Sequence, residues 1–185
     1  MALSEAQKTI CTNNDRFRVA VTGRRFGKTY CAMRELAKHA AEQNKEVLYV
    51  APSYRLAKVI AWESLKAKLK ELRWVAQTNE AELTIKLKSG SKISLKGAEN
   101  KDALRGSGYD FIVLDEFQDL DPELWSAVLR PTLSDTKGKA LFTGTPKGHN
   151  WFYDLYQKGK DPNEQDWSSH LYTTREGGWV EEDEL

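Results

Sequence analysis

Only two cysteines, Cys11 and Cys31, occur among 185 residues, and neither has the paired spacing of a metal site. A disulfide-stapled secreted scaffold is thereby excluded, and two free thiols fit a reducing compartment. Long apolar runs are missing as well. No stretch approaches the ~20 residues that a bilayer-spanning helix requires, and no secretory signal opens the chain. The expectation is a soluble, intracellular protein with no membrane association. A dominant charge of one sign is also absent: 28 Lys and Arg face 27 Asp and Glu, for a net charge of +1. Any contact with nucleic acid must therefore come from a local patch and not from the global field. Internal repeats and linker-like segments are lacking too. With 40% apolar and 30% charged residues the composition is that of an ordinary globular protein, and the length suits one domain.

Against this plain background the region around residue 25 stands out. The apolar run Phe17-Arg18-Val19-Ala20-Val21 leads into Gly23-Arg24-Arg25-Phe26-Gly27-Lys28-Thr29, and a helix-forming stretch follows. Strand, glycine-containing loop ending in Gly-Lys-Thr, then helix is the context of a phosphate-binding P-loop, the Walker A motif. Backbone N–H groups and the positive helix N-terminus cradle phosphate oxygens in such a loop. Lys28 is then placed for the β/γ-phosphates and the Thr29 hydroxyl for Mg²⁺. The spacing departs from the standard at one point: Thr22 stands where glycine is usual, and Gly23 comes one place late. Taken alone, the stretch also reads as a glycine-containing strand-to-helix turn that happens to hold Lys-Thr.

Ahead of it, Ser4 is a candidate N-cap for a helix over Glu5 to about Thr12. Gln7 lies in that helix, fifteen residues before Thr22, where helicase-like ATPases carry a glutamine that reads the adenine edge. The alternative is an exposed helical glutamine. After the loop, Met33, Leu36, Ala37 and Ala40 recur at helical spacing and are expected to face a sheet. Lys45–Ala51 reads as a buried strand broken by Pro52. An amphipathic helix then runs through Leu56, Val59, Ile60, Leu65 and Leu69 to about Leu72. This β-α-β-α alternation predicts a mostly parallel α/β sheet flanked by helices. Leu83 to Lys88 and Lys92 to Lys96 alternate apolar and polar residues around Ser89-Gly90. They predict an inserted β-hairpin with one apolar and one lysine-bearing face. Those lysines are either a solvated surface or a contact for a phosphate backbone.

The second half predicts a short helix from Asn100 to Leu104, then the loop Arg105-Gly106-Ser107-Gly108 and the run Tyr109–Glu116. Four apolar residues ending in Asp115-Glu116 read as a buried strand that delivers two carboxylates to a site, the Walker B pattern. Hydrolysis of ATP needs a metal, a base for the attacking water and positive charge on the departing phosphoryl oxygens. Asp115 is placed to hold Mg²⁺ with Thr29, and Glu116 is the candidate base. The simpler alternative is a strand leaving the core with two solvated acids. Pro122 opens a helix over Glu123–Leu129 that Pro131 stops. Lys139–Thr143 forms a further strand closed by Gly144-Thr145-Pro146. Its hydroxyls either sense the γ-phosphate or belong to an ordinary turn. Asn150 caps a helix bearing Trp151, Phe152, Leu155 and Tyr156, and Trp167–Thr173 makes a last strand.

In this order, the loop from Gly23 to Thr29, Ala51-Pro52-Ser53-Tyr54-Arg55, Leu104-Arg105-Gly106, Leu114–Asp119 and Thr143–Pro146 resemble the ATPase domain of the large terminase subunit of tailed double-stranded DNA bacteriophages. The similarity spans Gln7 to about Thr173, and the family tolerates a degenerate loop with arginines inside it. The resemblance implies the additional-strand, catalytic-glutamate (ASCE, RecA-like) P-loop fold, with the Thr-Gly-Thr strand between the loop strand and the Asp-Glu strand. It implies ATP and Mg²⁺ as cofactors, and an ATP-driven motor that packages double-stranded viral DNA into procapsids. Its partners would be the portal protein and the small terminase subunit. It would work as a homo-oligomeric ring on the portal in the host bacterial cytoplasm, and be monomeric when isolated. By the match, Gln7 contacts adenine. Gly23, Arg24, Arg25, Phe26, Gly27, Lys28 and Thr29 bind phosphate. Thr29 and Asp115 hold the metal, and Glu116 is the base. Thr143, Gly144 and Thr145 couple hydrolysis to movement.

Arg105 suits an arginine finger reaching a neighbouring subunit's site, against a surface arginine beside a flexible loop; Arg24, acting in cis, competes for the role. Full large terminases continue into an RNase H-like nuclease. A single ATPase domain over residues 1–185 is expected here, with a solvated acidic tail at Glu181–Glu184 and no DNA cleavage. The competing functions are a helicase-like or DNA-repair ATPase, which normally needs a second lobe, and a nucleotide-binding module without turnover, against which Glu116 argues.

Overall fold

In the computed structural model, residues 3–106, 108–147, 150–178 and 180 are described. The acidic tail, Ser107 of the arginine loop, and Gly148-His149 lie outside the described residues. Eight strands form one sheet in the order β3-β4-β5-β2-β6-β7-β1-β8. They are β1 (Phe17–Thr22), β2 (Glu46–Ala51), β3 (Val75–Asn79), β4 (Thr84–Leu87), β5 (Lys92–Gly97), β6 (Phe111–Asp115), β7 (Lys139–Gly144) and β8 (Trp167–Tyr172). The pairs from β5 to β8 are all parallel, while β3–β4 and β4–β5 are antiparallel. β7 thus separates β1 from β6, as the resemblance implied. β1, β6 and the rest of the central sheet are buried on both faces, which is why they read as near-continuous apolar runs.

The two faces carry separate cores. Ala20, Tyr49, Phe111, Val113 and Leu141 pack under α1 (Glu5–Thr12), α2 (Lys28–Ala40) and the helical stretch of residues 54–71. Val19, Leu48, Ile112, Leu114 and Phe142 pack on the other side against Trp125, Val128 and Phe152. Leu36 and Ala40 of α2 face the first core, with Met33 and Ala37 partly buried beside them, as their spacing predicts.

One polar element sits inside. Arg18 on β1 pairs with Glu35 of α2 and donates from Nη1 to the Ile10 carbonyl of α1 at 2.8 Å. Both side chains are almost wholly buried. Removing one partner of such a pair strands the other charge and costs about 3–5 kcal/mol. The pair therefore ties β1, α1 and α2 into one unit next to the loop that follows β1.

Three expectations change in the structure. The helix after β2 is not regular: α3 (Tyr54–Ala57) and α4 (Glu63–Glu71) are joined by a π-helical turn at Lys58–Trp62. Pro131 does not end the following helix either. A π-helical segment at Leu124–Leu129 runs straight into α6 (Arg130–Thr132). There the Arg130 N–H bonds to the Trp125 carbonyl, five residues back, so the widened turn removes the register in which a proline ring clashes. Finally, the alternating runs form the expected antiparallel hairpin, β4–β5, but as part of the main sheet and not as an appendage to it. β5 pairs in parallel with β2, and the polar edge strand β3, missed because it buries little, extends the sheet outward. Of the lysines on these strands, Lys92 meets Glu46 at 3.5 Å and Lys96 donates to the Ala103 carbonyl at 2.6 Å.

His39, stacked on Phe111 with ring centroids 3.9 Å apart, supplies a pH test. Burial and then the nearby Arg18 charge lower its pKa from 6.5 to about 3, with Lys38, Lys139 and Lys45 adding to the effect. Burial lowers His170 in the same direction. A histidine kept neutral by folding takes up its proton only when unfolded, so stability rises with pH across this window. Urea unfolding should show stability falling from pH 6.5 to 5, with a shallower slope in His39→Phe and the residue of the slope due to His170.

Candidate functional site

Because β1, β7 and β6 run parallel and adjacent, their C-terminal ends release the candidate residues along one edge of the sheet. β1 feeds the loop Gly23–Gly27 and α2. Gly27, at φ 86°, is the residue before α2, a left-handed position for which glycine is suited. Arg25 also holds positive φ, at 58°. The loop residues Arg25 to Thr29 line a cleft of about 350 Å³ at the N-terminus of a thirteen-residue helix. Its unpaired N–H groups and dipole favour an anion there. A larger, mainly apolar cleft lies between α2 and α4 and shares Gly27 and Thr29. Lys28 lines the smaller cleft and not the larger, so the contact between Lys28 and Glu116 described below belongs with the smaller one.

The loop is held from both sides. Gln7 is completely buried, not exposed. Its Nε2 donates to the Phe26 carbonyl at 2.8 Å, while its Oε1 accepts from the Ser4 N–H at 3.0 Å in the capping box of α1. The other side is covered by β8 and α8 (Thr174–Gly177). The Gly23 N–H bonds to the Tyr172 carbonyl at 3.0 Å, and the Thr174 hydroxyl donates to the Arg24 carbonyl at 2.8 Å. Phe26 is buried and stacks on Tyr172. Gly23 is required by close approach: a Cβ there would lie 2.5 Å from the Thr174 hydroxyl oxygen. Arg24 and Arg25 are exposed.

Lys28 brings the pieces together. Its Nζ lies 3.0 Å from Glu116 Oε1 and 3.0 Å from the Thr145 hydroxyl, so the loop lysine, the candidate base and the end of β7 meet at one point. Asp115 is 1% exposed. Its Oδ2 accepts from the Tyr49 hydroxyl at 2.6 Å, and its Oδ1 accepts from the Thr143 hydroxyl at 2.7 Å and the Glu116 N–H at 2.9 Å. Burial holds the Asp115 carboxyl above its ordinary pKa, and the bonds from Tyr49 and Thr143 oppose that shift only in part. Burial likewise raises the Tyr49 phenol, with the Asp115 charge adding to the shift, so it stays a donor. Glu116 has φ 50°, a strained position for a residue with a side chain and one common at functional sites.

Thr29 is half-buried at the start of α2, in the cleft. Gly144 is pressed against the Phe117 ring and the Gln118 amide. Arg105 caps the C-terminus of α5 (Lys101–Leu104) and is exposed. The bonds that unite Lys28, Glu116 and Thr145 among the described residues include neither Arg105 nor Arg24. Tyr49 and Gln118 join the site without having been singled out by the sequence. Gln118 stands two residues after Glu116, a position at which a polar side chain deserved scrutiny; Tyr49, in an apolar strand, gives no local sign.

A family model described as the terminase large subunit, T4likevirus-type, N-terminal, matches residues 19–174. The terminase large subunit of Escherichia phage T5 is 36% identical over 164 residues, covering 87% of this chain and 37% of that protein. That of Thermus phage G20c is 32% identical over 162 residues, with 77% and 33% covered. The chain therefore spans about a third of the length of these curated relatives. Among solved structures, the ATPase domain of the Thermus phage P74-26 large terminase superposes with TM-score 0.80 at 28% identity, covering 91% of this chain and 80% of that one. The large terminase of another thermophilic bacteriophage, in complex with ATP-gamma-S, shares the fold, with TM-score 0.79 at 17% identity over 98% of this chain and 47% of that one.

Replacing Tyr49 by Phe should remove a donor from a buried carboxylate and lower stability by about 1–3 kcal/mol in urea unfolding.

Proposed function

The chain belongs to the terminase large subunit family, and we propose that it is an ATP-hydrolysing motor domain that drives double-stranded viral DNA into procapsids. The observation that carries this reading is the meeting of Lys28, Glu116 and Thr145 at adjacent strand ends, beside an anion-binding loop. The ATP-gamma-S complex of the thermophilic phage terminase is in keeping with it.

In the proposed cycle, the loop N–H groups from Arg24 to Gly27, with the Arg24 and Arg25 side chains, take the phosphates, while Gly23, its N–H paired with the Tyr172 carbonyl, lets the loop pass close to Thr174. Lys28 exchanges its bonds to Glu116 and Thr145 for the β/γ-phosphate oxygens. Glu116 Oε1, so released, accepts a proton from the attacking water as the new P–O bond forms and the bond to the ADP oxygen breaks. Thr143, Gly144 and Thr145 register the loss of the γ-phosphate at the end of β7. Arg105 of a neighbouring copy supplies positive charge to the departing oxygens, and Arg24 steadies the phosphates within its own chain.

Gln7, whose amide is engaged with the loop and with Ser4, is assigned to adenine recognition only through an exchange of those bonds. Mg²⁺, when bound, neutralises the phosphates, and the Thr29 hydroxyl and Asp115 would hold it. The donor set fits that ion. One hydroxyl and one carboxylate are oxygen donors, and Mg²⁺ is usually bound through phosphates, waters and one or two carboxylates. The further partners proposed are the portal protein, the small terminase subunit and other copies of this chain in a ring on the portal. The proposed location is the host cytoplasm at the procapsid. ATP hydrolysis is assigned to this chain.

Measuring ATP hydrolysis against protein concentration, with and without double-stranded DNA, tests the reading. Rates should rise faster than linearly. Glu116→Gln should slow turnover by roughly 10²–10⁴-fold while still binding ATP, and Arg105→Ala should abolish the excess over linearity. A Glu116→Gln protein as fast as its parent would sink the assignment of the base, and a normal Arg105→Ala rate under assembling conditions would sink the finger.

A further inference from the structure

We propose that Gln118 is a positioning residue of this site, whose side-chain amide holds the Glu116 carboxylate and the main chain of Thr145 at once. The inference rests on the reading of Glu116 as the base. Gln118 Nε2 donates to Glu116 Oε2 at 2.6 Å, and Gln118 Oε1 accepts from the Thr145 N–H at 3.3 Å. The backbone carbonyl of Gln118 accepts from Asn150 Nδ2 at 3.1 Å, and Asn150 is the N-cap of α7 (Trp151–Lys158). The residue is only 9% exposed. It is packed so closely on β7 that a Cβ on Gly144 would fall 2.4 Å from its Oε1.

The chemistry of the side chain explains the choice. A primary amide offers a donor and an acceptor on one rigid plane, whereas a carboxylate lacks the donor and an ammonium lacks the acceptor. The two carboxylate oxygens of Glu116 have different partners, Lys28 on Oε1 and Gln118 on Oε2. When Lys28 turns to phosphate, the bond from Gln118 is the one left to keep that carboxylate aimed. The same amide touches the Thr145 N–H, while Lys28 touches the Thr145 hydroxyl. A movement at the end of β7 is therefore conveyed to Glu116 through Gln118, and the reverse.

The test uses the whole chain with Gln118→Leu and Gln118→Glu, beside Glu116→Gln. Turnover, affinity for a fluorescent ADP and amide hydrogen exchange at Thr145 are measured for each. Both Gln118 variants should lose roughly 10- to 100-fold in kcat, the scale of a misplaced catalytic group. KM and ADP affinity should stay within about twofold of the parent. The Thr145 amide should exchange faster in Gln118→Leu and stay protected in Gln118→Glu, which keeps the acceptor. Added to Glu116→Gln, neither change should slow turnover further, since both act through one carboxylate.

Parental kcat in both Gln118 variants, an additive loss on top of Glu116→Gln, or an equal loss of ADP affinity would each overturn the proposal. Should Gln118→Leu fail to fold, Gln118→Glu decides alone, because it preserves volume and the Thr145 bond. Failure of the ATPase reading looks different. In that case Glu116→Gln itself turns over like the parent.

Discussion

The ammonium group of Lys28 is what the rest of the site depends on. It lies 3.0 Å from a carboxylate oxygen on the segment after β6 and 3.0 Å from a hydroxyl at the end of β7, while its own backbone begins α2 after β1. Three strand ends must be adjacent and parallel for one lysine to reach all of this. The sheet order β6-β7-β1 meets that demand. Much of the remaining architecture, from the two apolar cores to the buried Arg18–Glu35 pair, keeps those three ends in register.

The loop between β1 and α2 shows the same economy of motion. A loop free to rearrange would lose conformational entropy on binding, a cost that preorganisation avoids. Here α1 secures the Phe26 carbonyl through Gln7, and β8 with α8 secures Gly23, Arg24 and Phe26 from the opposite side. Thr22 in place of the usual glycine is tolerated in this frame. It is the last residue of β1, paired with Tyr172 of β8, so its backbone is already that of a strand.

Burying acids beside this loop is expensive unless their lone pairs are filled. Asp115 solves the difficulty with donors from β2, β7 and the next backbone N–H. Glu116 keeps part of its surface and is steered by Lys28 and Gln118, on a backbone turned into the left-handed region. One carboxylate is immobile and the other is held by bonds that can be exchanged.

Local chemistry was enough to read much of this from the chain: Ser4 as a cap, the apolar strands, the Gly-Lys-Thr helix start and the carboxylates at a strand end all follow from propensity and periodicity. What residues do across strands was not readable, since register and neighbour order are set by packing between segments far apart in sequence. Only the tertiary structure buried Gln7, joined Tyr49 to Asp115 over 66 positions and set Gln118 between Glu116 and Thr145. Only it let a π-helical turn carry the chain past Pro131. The sequence by itself marked Lys28, Asp115, Glu116 and Thr145 as candidates and left Tyr49 and Gln118 unmarked. Tertiary packing decided which of them touch, because a hydrogen bond is fixed by distance and direction and not by spacing along the chain.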